Sequence, residues 1–459
     1  MSYAKSSVGF KSRSKRSRVR KRGAVTIALL GLAVIWLLAQ PHRAPAPVAT
    51  TIAVRRPMHR IAVPTAAPSS WSAPDRARLW GNLHGALAPA IAGATGWSVV
   101  VVDGNGVPIY DDRAQRAVAP ASVQKLVVAA TALDALGPAY RYHTMFAGRD
   151  GIGRDGRLPG DLWLIGSGDP SFASNDLRGG VGVLARSGLR RIEGRVVVDA
   201  TSQTGPGINP HWGRDDNGQD YAAPVNAMSL DGNTIETHPV VGGVEQSAWT
   251  PMQNVTGYVG ERTNAMLKAR GIVTLRPPGV GPAPLATVIL WDHRSVPLRV
   301  LETHMLFVSD NHYAEQLLRT VGAEAIGTGG DAAGLDAERR FLQRLGIPTP
   351  GLRLFDGSGL SPDNRIAGVT LARLLHDNEP SLYSLLPQGG RQGTLEDYDF
   401  TTALGRVRAK SGHLSGVSAL AGYVNTQHHG RVAFAFLIDG SPGDPDAAIV
   451  RAVDRLAVF

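Results

Sequence analysis

The 459-residue chain contains no cysteine, which excludes disulfides, thiol catalysis and Cys-ligated zinc. It does not exclude a location outside the cytoplasm, because a chain of this length can bury its own core without covalent staples. Acidic residues are missing from residues 1–22, which hold nine of the 48 Lys and Arg, so 39 basic residues face 38 acidic ones in the rest of the chain. The body is close to neutral, and its charge gives no ground for nucleic-acid binding. Lysine is scarce as well: beyond residue 22 only Lys125, Lys268 and Lys410 occur, against 36 arginines. Arginine stays protonated and cannot serve as a base, whereas the surroundings of a lysine can tune it to do so.

Directly after the basic block, the 17 residues from Gly23 to Ala39 carry no charge. At about 1.5 Å per residue they just reach across a bilayer core. The positive-inside rule makes residues 1–22 a basic cytoplasmic tail and puts everything beyond residue 40 on the other side. The expectation is an inner-membrane anchor over 23–39 with the folded part in the periplasm; the alternative is a cleaved signal segment and a periplasmic protein. The run is longer than the roughly 7–15 apolar residues of a signal core, and Leu37-Leu38-Ala39 lacks the small residue that cleavage requires. Residues 40–75 are rich in Pro and Ala and read as an extended linker.

Order is expected from about Asp75, a candidate cap for a helix running toward Ile91. The β-branched run ending at Val102, followed by Asp-Gly-Asn-Gly and Val-Pro-Ile-Tyr, predicts a β-hairpin. A helix is expected to start after Pro120 and run to Leu136, stopped by Gly137-Pro138. Residues 144–299 are Gly-rich with short strands and few long helical patterns. Helices return from Val300, and strands at Val417–Val424 and Arg431–Ile438 precede a last helix from Asp446. The pattern is an α/β fold in which 76–143 and 300–459 form one domain, interrupted by a strand-rich insertion over 144–299.

Three short elements carry chemistry. Ser122-Val-Gln-Lys125 sets a hydroxyl and an amine three residues apart at a helix start, so that they meet on one face. A serine hydroxyl needs an adjacent base, and lysine is one only if burial brings its pKa from about 10.4 to roughly 7–8. The same spacing at Ser2 to Lys5 and Ser12 to Lys15 is a solvated basic tail. Ser309-Asp310-Asn311 taken alone reads as a helix cap, and Lys410-Ser411-Gly412 as a turn before a strand. Two of the three lysines beyond the tail nonetheless fall inside these elements.

In this order the elements resemble the Ser-x-x-Lys, Ser-Asp-Asn and Lys-Thr-Gly motifs of penicillin-binding proteins and class A β-lactamases, with Ser411 in place of Thr. The 187-residue gap from Ser122 to Ser309 is similar to that of the serine D-Ala-D-Ala carboxypeptidase/endopeptidase family, the class C low-molecular-mass penicillin-binding proteins. Supporting stretches include Gly160 to Ser171, Trp212 to Leu230, Asp356 to Arg365 and Leu414 to Val424. The resemblance implies a transpeptidase-like, serine β-lactamase-like domain with an antiparallel sheet flanked by helices.

It also implies a D-Ala-D-Ala carboxypeptidase, an endopeptidase or both. Such an enzyme acts on peptidoglycan stem peptides, is inhibited by β-lactams and uses neither cofactor nor metal. Ser122 is then the nucleophile, Lys125 its base, Ser309 a proton relay and Asn311 an orienting amide. Lys410 and Ser411 hold the substrate carboxylate, and the Ser122 and His413 N–H groups, beside Gly412, form the oxyanion hole. A relay through Ser309 and Lys410 stays open as the alternative base. Trp212, Asp215 and Asp216 are expected to border the cleft. Glu396-Asp397-Tyr398 stand where the family usually carries a basic residue, and His413 where Thr or Ser is common. A β-lactamase would need a glutamate-bearing loop for deacylation, which is not evident, and a non-catalytic homologue would need a damaged motif.

Overall fold

The computed structural model describes residues 70–241 and 244–459. The basic tail, the 23–39 segment and all of the linker before residue 70 lie outside the described residues. Among those described, no helix is long and apolar enough to cross a membrane.

Helix α1 (Ala73–Ile91) begins three residues before the expected linker boundary, and its cap is Ser72, not Asp75. Ser72 Oγ accepts from Asp75 N at 3.2 Å, which leaves Asp75 as the first-turn acid that the helix dipole favours. Strands β1 (Gly96–Val102) and β2 (Pro108–Asp112) form the expected hairpin. In its turn Asp103 Oδ1 accepts from Asn105 N and Val107 N, both at 2.9 Å. A 3₁₀ turn, Ala121–Gln124, then feeds helix α2 (Lys125–Leu136), which Gly137 ends at φ +81°.

The middle of the chain holds β3 (His143–Gly148), β4 (Leu162–Ile165), α3 (Ser174–Arg186), β5 (Val196–Asp199), α4 (Val255–Ala269), β6 (Gly279–Val280) and β7 (Val288–Arg294). Its sheet runs β6-β5-β4-β3-β7, with parallel pairs at the β6 side and antiparallel pairs at the β7 side. Two helices, of 13 and 15 residues, are the long helices of this stretch among the described residues, in keeping with the few helical patterns expected. Glycine hid the first of them. A Cβ at Gly180 would lie 2.8 Å from the Trp291 ring, so a residue that weakens a helix on propensity is what lets α3 rest on the sheet.

The chain returns through α5 (Leu298–Val308), α6 (Asn311–Ile326), α7 (Asp331–Arg344) and α8 (Gly368–Asp377) to β8 (Val407–Leu414), β9 (Val417–Asn425), β10 (Arg431–Asp439) and α9 (Pro445–Ala457). The last three strands join the first hairpin in one antiparallel sheet ordered β8-β9-β10-β1-β2. Alternation along β1 shows the layering. Val99 and Val101 pack with Leu79, Leu83 and Leu87 of α1 and Ile449 and Val453 of α9. Val100 and Val102 pack on the other face with residues of α2, α5, α6 and α8. Burial of each such side chain contributes about 1.5–3 kcal/mol. Helix α2 is buried from Lys125 through Ala132 on all sides, as an apolar helix between layers must be.

The two sheets belong to one compact unit, tied together by a coil that leaves β5 and crosses α6. Arg319 of α6 donates to Val225 O at 3.1 Å and Pro206 O at 2.6 Å, and Gln203 Nε2 donates to Gln316 Oε1 at 2.8 Å.

Candidate active site

Ser122 sits in the 3₁₀ turn that opens onto α2, and the turn is strained. Ala121, just before it, is held at φ +46°, a conformation that costs a non-glycine residue of order 1–3 kcal/mol. Two glycines allow the backbone to close around it. A Cβ at Gly412 would lie 2.9 Å from both Ser122 N and Pro120 O, and one at Gly359 would lie 2.0 Å from Ala121 O.

Lys125 is fully buried. Its Nζ reaches Ser122 Oγ at 2.9 Å, Asn311 Oδ1 at 2.7 Å and the Ser358 carbonyl at 2.7 Å. Burial brings the amine down to about 8, against the opposing pull of Asp356, Glu315 and Asp310. Asn311 Nδ2 donates to Tyr221 O at 3.0 Å, which turns the amide oxygen toward the lysine. Both acceptors, Asn311 Oδ1 and Ser358 O, can only take hydrogens. A neutral amine therefore spends its two N–H groups on them and directs its lone pair at Ser122 Oγ.

The second element does two jobs. Asp310 caps α6, accepting from Tyr313 N at 3.1 Å, as the capping preference suggests. Ser309, at φ +63°, ends α5, and the reversal between the helices delivers Asn311 to Lys125. Ser309 and Asn311 line a cavity of about 730 Å³ with Tyr221 and Trp249.

Lys410-Ser411-Gly412 is not a turn. It lies within β8, the edge strand of the sheet. Asn425 N bonds Arg406 O across the β8–β9 register, while Ala409 N turns outward to Pro387 O. Antiparallel alternation thus also points the N–H groups of Ser411 and His413 to the outer edge. Such an edge can pair with an extended peptide. Lys410 is fully buried and donates to Ser411 O at 2.6 Å. Burial, with the positive Lys125 nearby, holds it well below an ordinary lysine. Ser411 Oγ donates to Thr394 Oγ1 at 2.9 Å. The His413 ring turns away, with Nε2 at 3.0 Å from Asp446 Oδ1 and 3.3 Å from Tyr398 OH.

Asp215 makes no contact with the Ser122–Lys125 pair, although its charge acts on Tyr221, whose carbonyl holds Asn311. It is exposed in the Arg214–Asp216 turn and makes no hydrogen bond among the described residues. Asp216 is the carboxylate that does structural work there, accepting from Gly213 N at 2.9 Å and Tyr221 OH at 3.0 Å. Trp212 is buried, with Nε1 donating to Asp356 Oδ2 at 3.0 Å. Ser358, Asp356 and Glu315 went unassigned in the sequence. The signal for Asp356 and Ser358 is the dense Asp-Gly-Ser-Gly run at 356–359, and Glu315 lies in α6 with no signal of its own.

The chain matches the D-Ala-D-Ala carboxypeptidase 3 (S13) family over residues 82–242 and 238–458. It is 31% identical over 426 residues to carboxypeptidase DacB of Mycolicibacterium smegmatis, covering 86% of each chain. It is 29% identical over 446 residues to the D-alanyl-D-alanine carboxypeptidase of Actinomadura sp. (strain R39), covering 81% of this chain and 82% of that one. The crystal structure of penicillin binding protein 4 (dacB) from Haemophilus influenzae shares the fold with a TM-score of 0.73 at 24% identity, over 82% of this chain and 98% of that one. With its three motifs brought together around Ser122 and the match running through nearly all of the described residues, the chain belongs to the D-Ala-D-Ala carboxypeptidase 3 (S13) family.

Proposed function

We propose that this serine peptidase removes the terminal D-alanine from peptidoglycan stem peptides through an acyl-enzyme on Ser122. The observation that carries the reading is the buried Lys125 Nζ, 2.9 Å from Ser122 Oγ and held by Asn311 Oδ1 and the Ser358 carbonyl, in surroundings whose burial brings the amine down to about 8. Lys125 takes the Ser122 proton as Oγ bonds to the carbonyl carbon between the two D-alanines. The oxyanion is received by the N–H groups of Ser122 and His413, each such donor being worth roughly 10²–10³ in rate. The C–N bond then breaks, and the proton passes from Lys125 through Ser309 to the departing amine. Lys410, Ser411 and Thr394 hold the terminal carboxylate. Water, deprotonated by Lys125, releases the shortened peptide and restores Ser122. A β-lactam presents the same amide in a ring and acylates the same oxygen.

Membrane attachment belongs to the same proposal. The uncharged 17-residue run behind a basic tail supports an anchor that holds the enzyme on the periplasmic side, facing its substrate.

Fluorescent-penicillin labelling and D-alanine release from a pentapeptide test the assignment. Ser122→Ala is expected to abolish both while leaving the melting temperature within a few degrees, since a small half-buried hydroxyl adds little packing. Covalent labelling that persists in this variant overturns it.

A further inference from the structure

Lys125 is oriented partly by a group without side-chain chemistry, the carbonyl of Ser358, and what holds that carbonyl lies one layer deeper. The peptide unit joining Ser358 to Gly359 is gripped at both ends. Its oxygen accepts from Lys125 Nζ at 2.7 Å, and its N–H donates to Asp356 Oδ1 at 2.9 Å. An amide bonded to an anion through its N–H is polarised, and its oxygen becomes a stronger acceptor for a cation.

The carboxylate of Asp356 is itself held in place. It accepts from Ser361 N at 2.7 Å, Asn364 Nδ2 at 2.7 Å and Trp212 Nε1 at 3.0 Å. Glu315 grips the preceding peptides, accepting from Ser358 N at 2.7 Å and Gly357 N at 3.1 Å. The loop is seated directly on the turn that carries the nucleophile, because Gly359, at φ +82°, leaves Ala121 O the space a Cβ would take. Asp356 and Ser358 are fully buried, so water cannot replace these bonds.

We infer that Asp356 is a positioning residue for acyl transfer: through the 358–359 peptide it keeps the Lys125 lone pair on Ser122 Oγ and stabilises the ammonium that proton transfer creates. This rests on Lys125 acting as the base. Around the amine, Asp356, Glu315 and Asp310 favour the cation, Glu315 the less so because burial and the Asp356 charge push its own carboxyl up to about 8. Burial and the repulsion between Lys125 and Lys410 oppose it. Glu338 stands behind Glu315 and Asp356 and interacts with both.

The test is the second-order rate of acylation by fluorescent penicillin as a function of pH, measured on the full chain and on Asp356→Asn. Removing the anion destabilises the ammonium, so the acid limb of the profile moves to lower pH. The plateau falls about 10–100-fold as the amine loses its aim. A plateau that falls while the limb stays in place shows a merely structural residue and overturns the inference, as does an unchanged profile. Should Asp356→Asn not fold, the wild-type chain decides. The Gly359 amide resonance of ¹⁵N-glycine-labelled protein is expected to titrate with the midpoint of the acid limb, and a resonance that ignores it refutes the coupling. Failure of the wild-type chain to be acylated at Ser122 sinks the proposed activity instead, and so is told apart.

Discussion

Lys125 and Asn311 are 186 residues apart in sequence, and their side chains meet at 2.7 Å. The contact fixes a direction as well as a distance, because the Asn311 amide is anchored on Tyr221 O and cannot turn its nitrogen toward the lysine. Lys125→Arg keeps the charge but cannot take a proton and does not fit a site built around one nitrogen, with two fixed acceptors and the Ser122 hydroxyl. It is expected to lower the acylation rate nearly as far as Lys125→Ala, by about 10²–10⁴-fold. Stopped-flow acylation with a labelled penicillin reads this directly. Retention of most of the rate in the arginine variant would recast Lys125 as an electrostatic anchor.

The same amine sets a pH dependence. Burial brings its folded-state value down to about 8, and only the neutral form accepts the proton of Ser122. Acylation is therefore expected to rise with pH through about 8 and to fall below it with the slope of a single proton. Stability follows the same sign. The unfolded chain binds this proton up to about pH 10.4, so the stabilisation is complete above that value and is lost as pH falls toward 8. Denaturant titrations at pH 7.5 and 9.5 check the second part, provided the remaining groups are matched by a Lys125→Met control.

Gly412→Ala places a methyl 2.9 Å from Ser122 N and Pro120 O, both backbone atoms that cannot swing aside. The edge strand must then retreat from the nucleophile turn, taking the His413 N–H with it. Loss of one oxyanion donor alone costs roughly 10²–10³ in rate. We expect at least that loss in D-alanine release, with β8 still paired to β9 by hydrogen exchange. Wild-type turnover in this variant is incompatible with the assigned role of the strand.

Full-length protein is expected in the membrane fraction, and deletion of residues 1–40 is expected to yield a soluble, penicillin-reactive enzyme. The reason is the charge asymmetry across Gly23–Ala39. N-terminal sequencing of the mature protein decides between anchor and signal. A start between residues 40 and 50 removes the anchor and leaves the enzymatic reading intact.

Much of the site was legible because its chemistry lives in side chains that a sparse lysine content made conspicuous. Lys125 and Lys410 stood out for that reason, and the hairpin and the last two strands announced themselves through β-branched and apolar runs. The Ser358 carbonyl could not be read, since any residue at 358 supplies one and only the fold aims it. Asp215 and Asp216 illustrate the converse: as adjacent carboxylates they look alike in the sequence, and only the turn geometry shows that Asp216 makes the hydrogen bonds while Asp215 stays exposed. The placement of Lys410-Ser411-Gly412 in a strand was obscured by Ser and Gly, which favour turns locally and were overruled by pairing with β9.

The pairing of β1 with β10, Gly96 opposite Asp439 and Val102 opposite Ala433, sets the time at which the enzyme comes into being. The ribosome makes Ser122 and Lys125 early, yet the strand that presents Lys410, Ser411 and His413 reaches them only through β9 and β10, near the end of synthesis. A nascent chain thus carries Ser122 and Lys125 without the edge strand that completes the site. Contacts this distant in sequence form late and slowly, so the site is complete only when the last strands have folded onto the first hairpin.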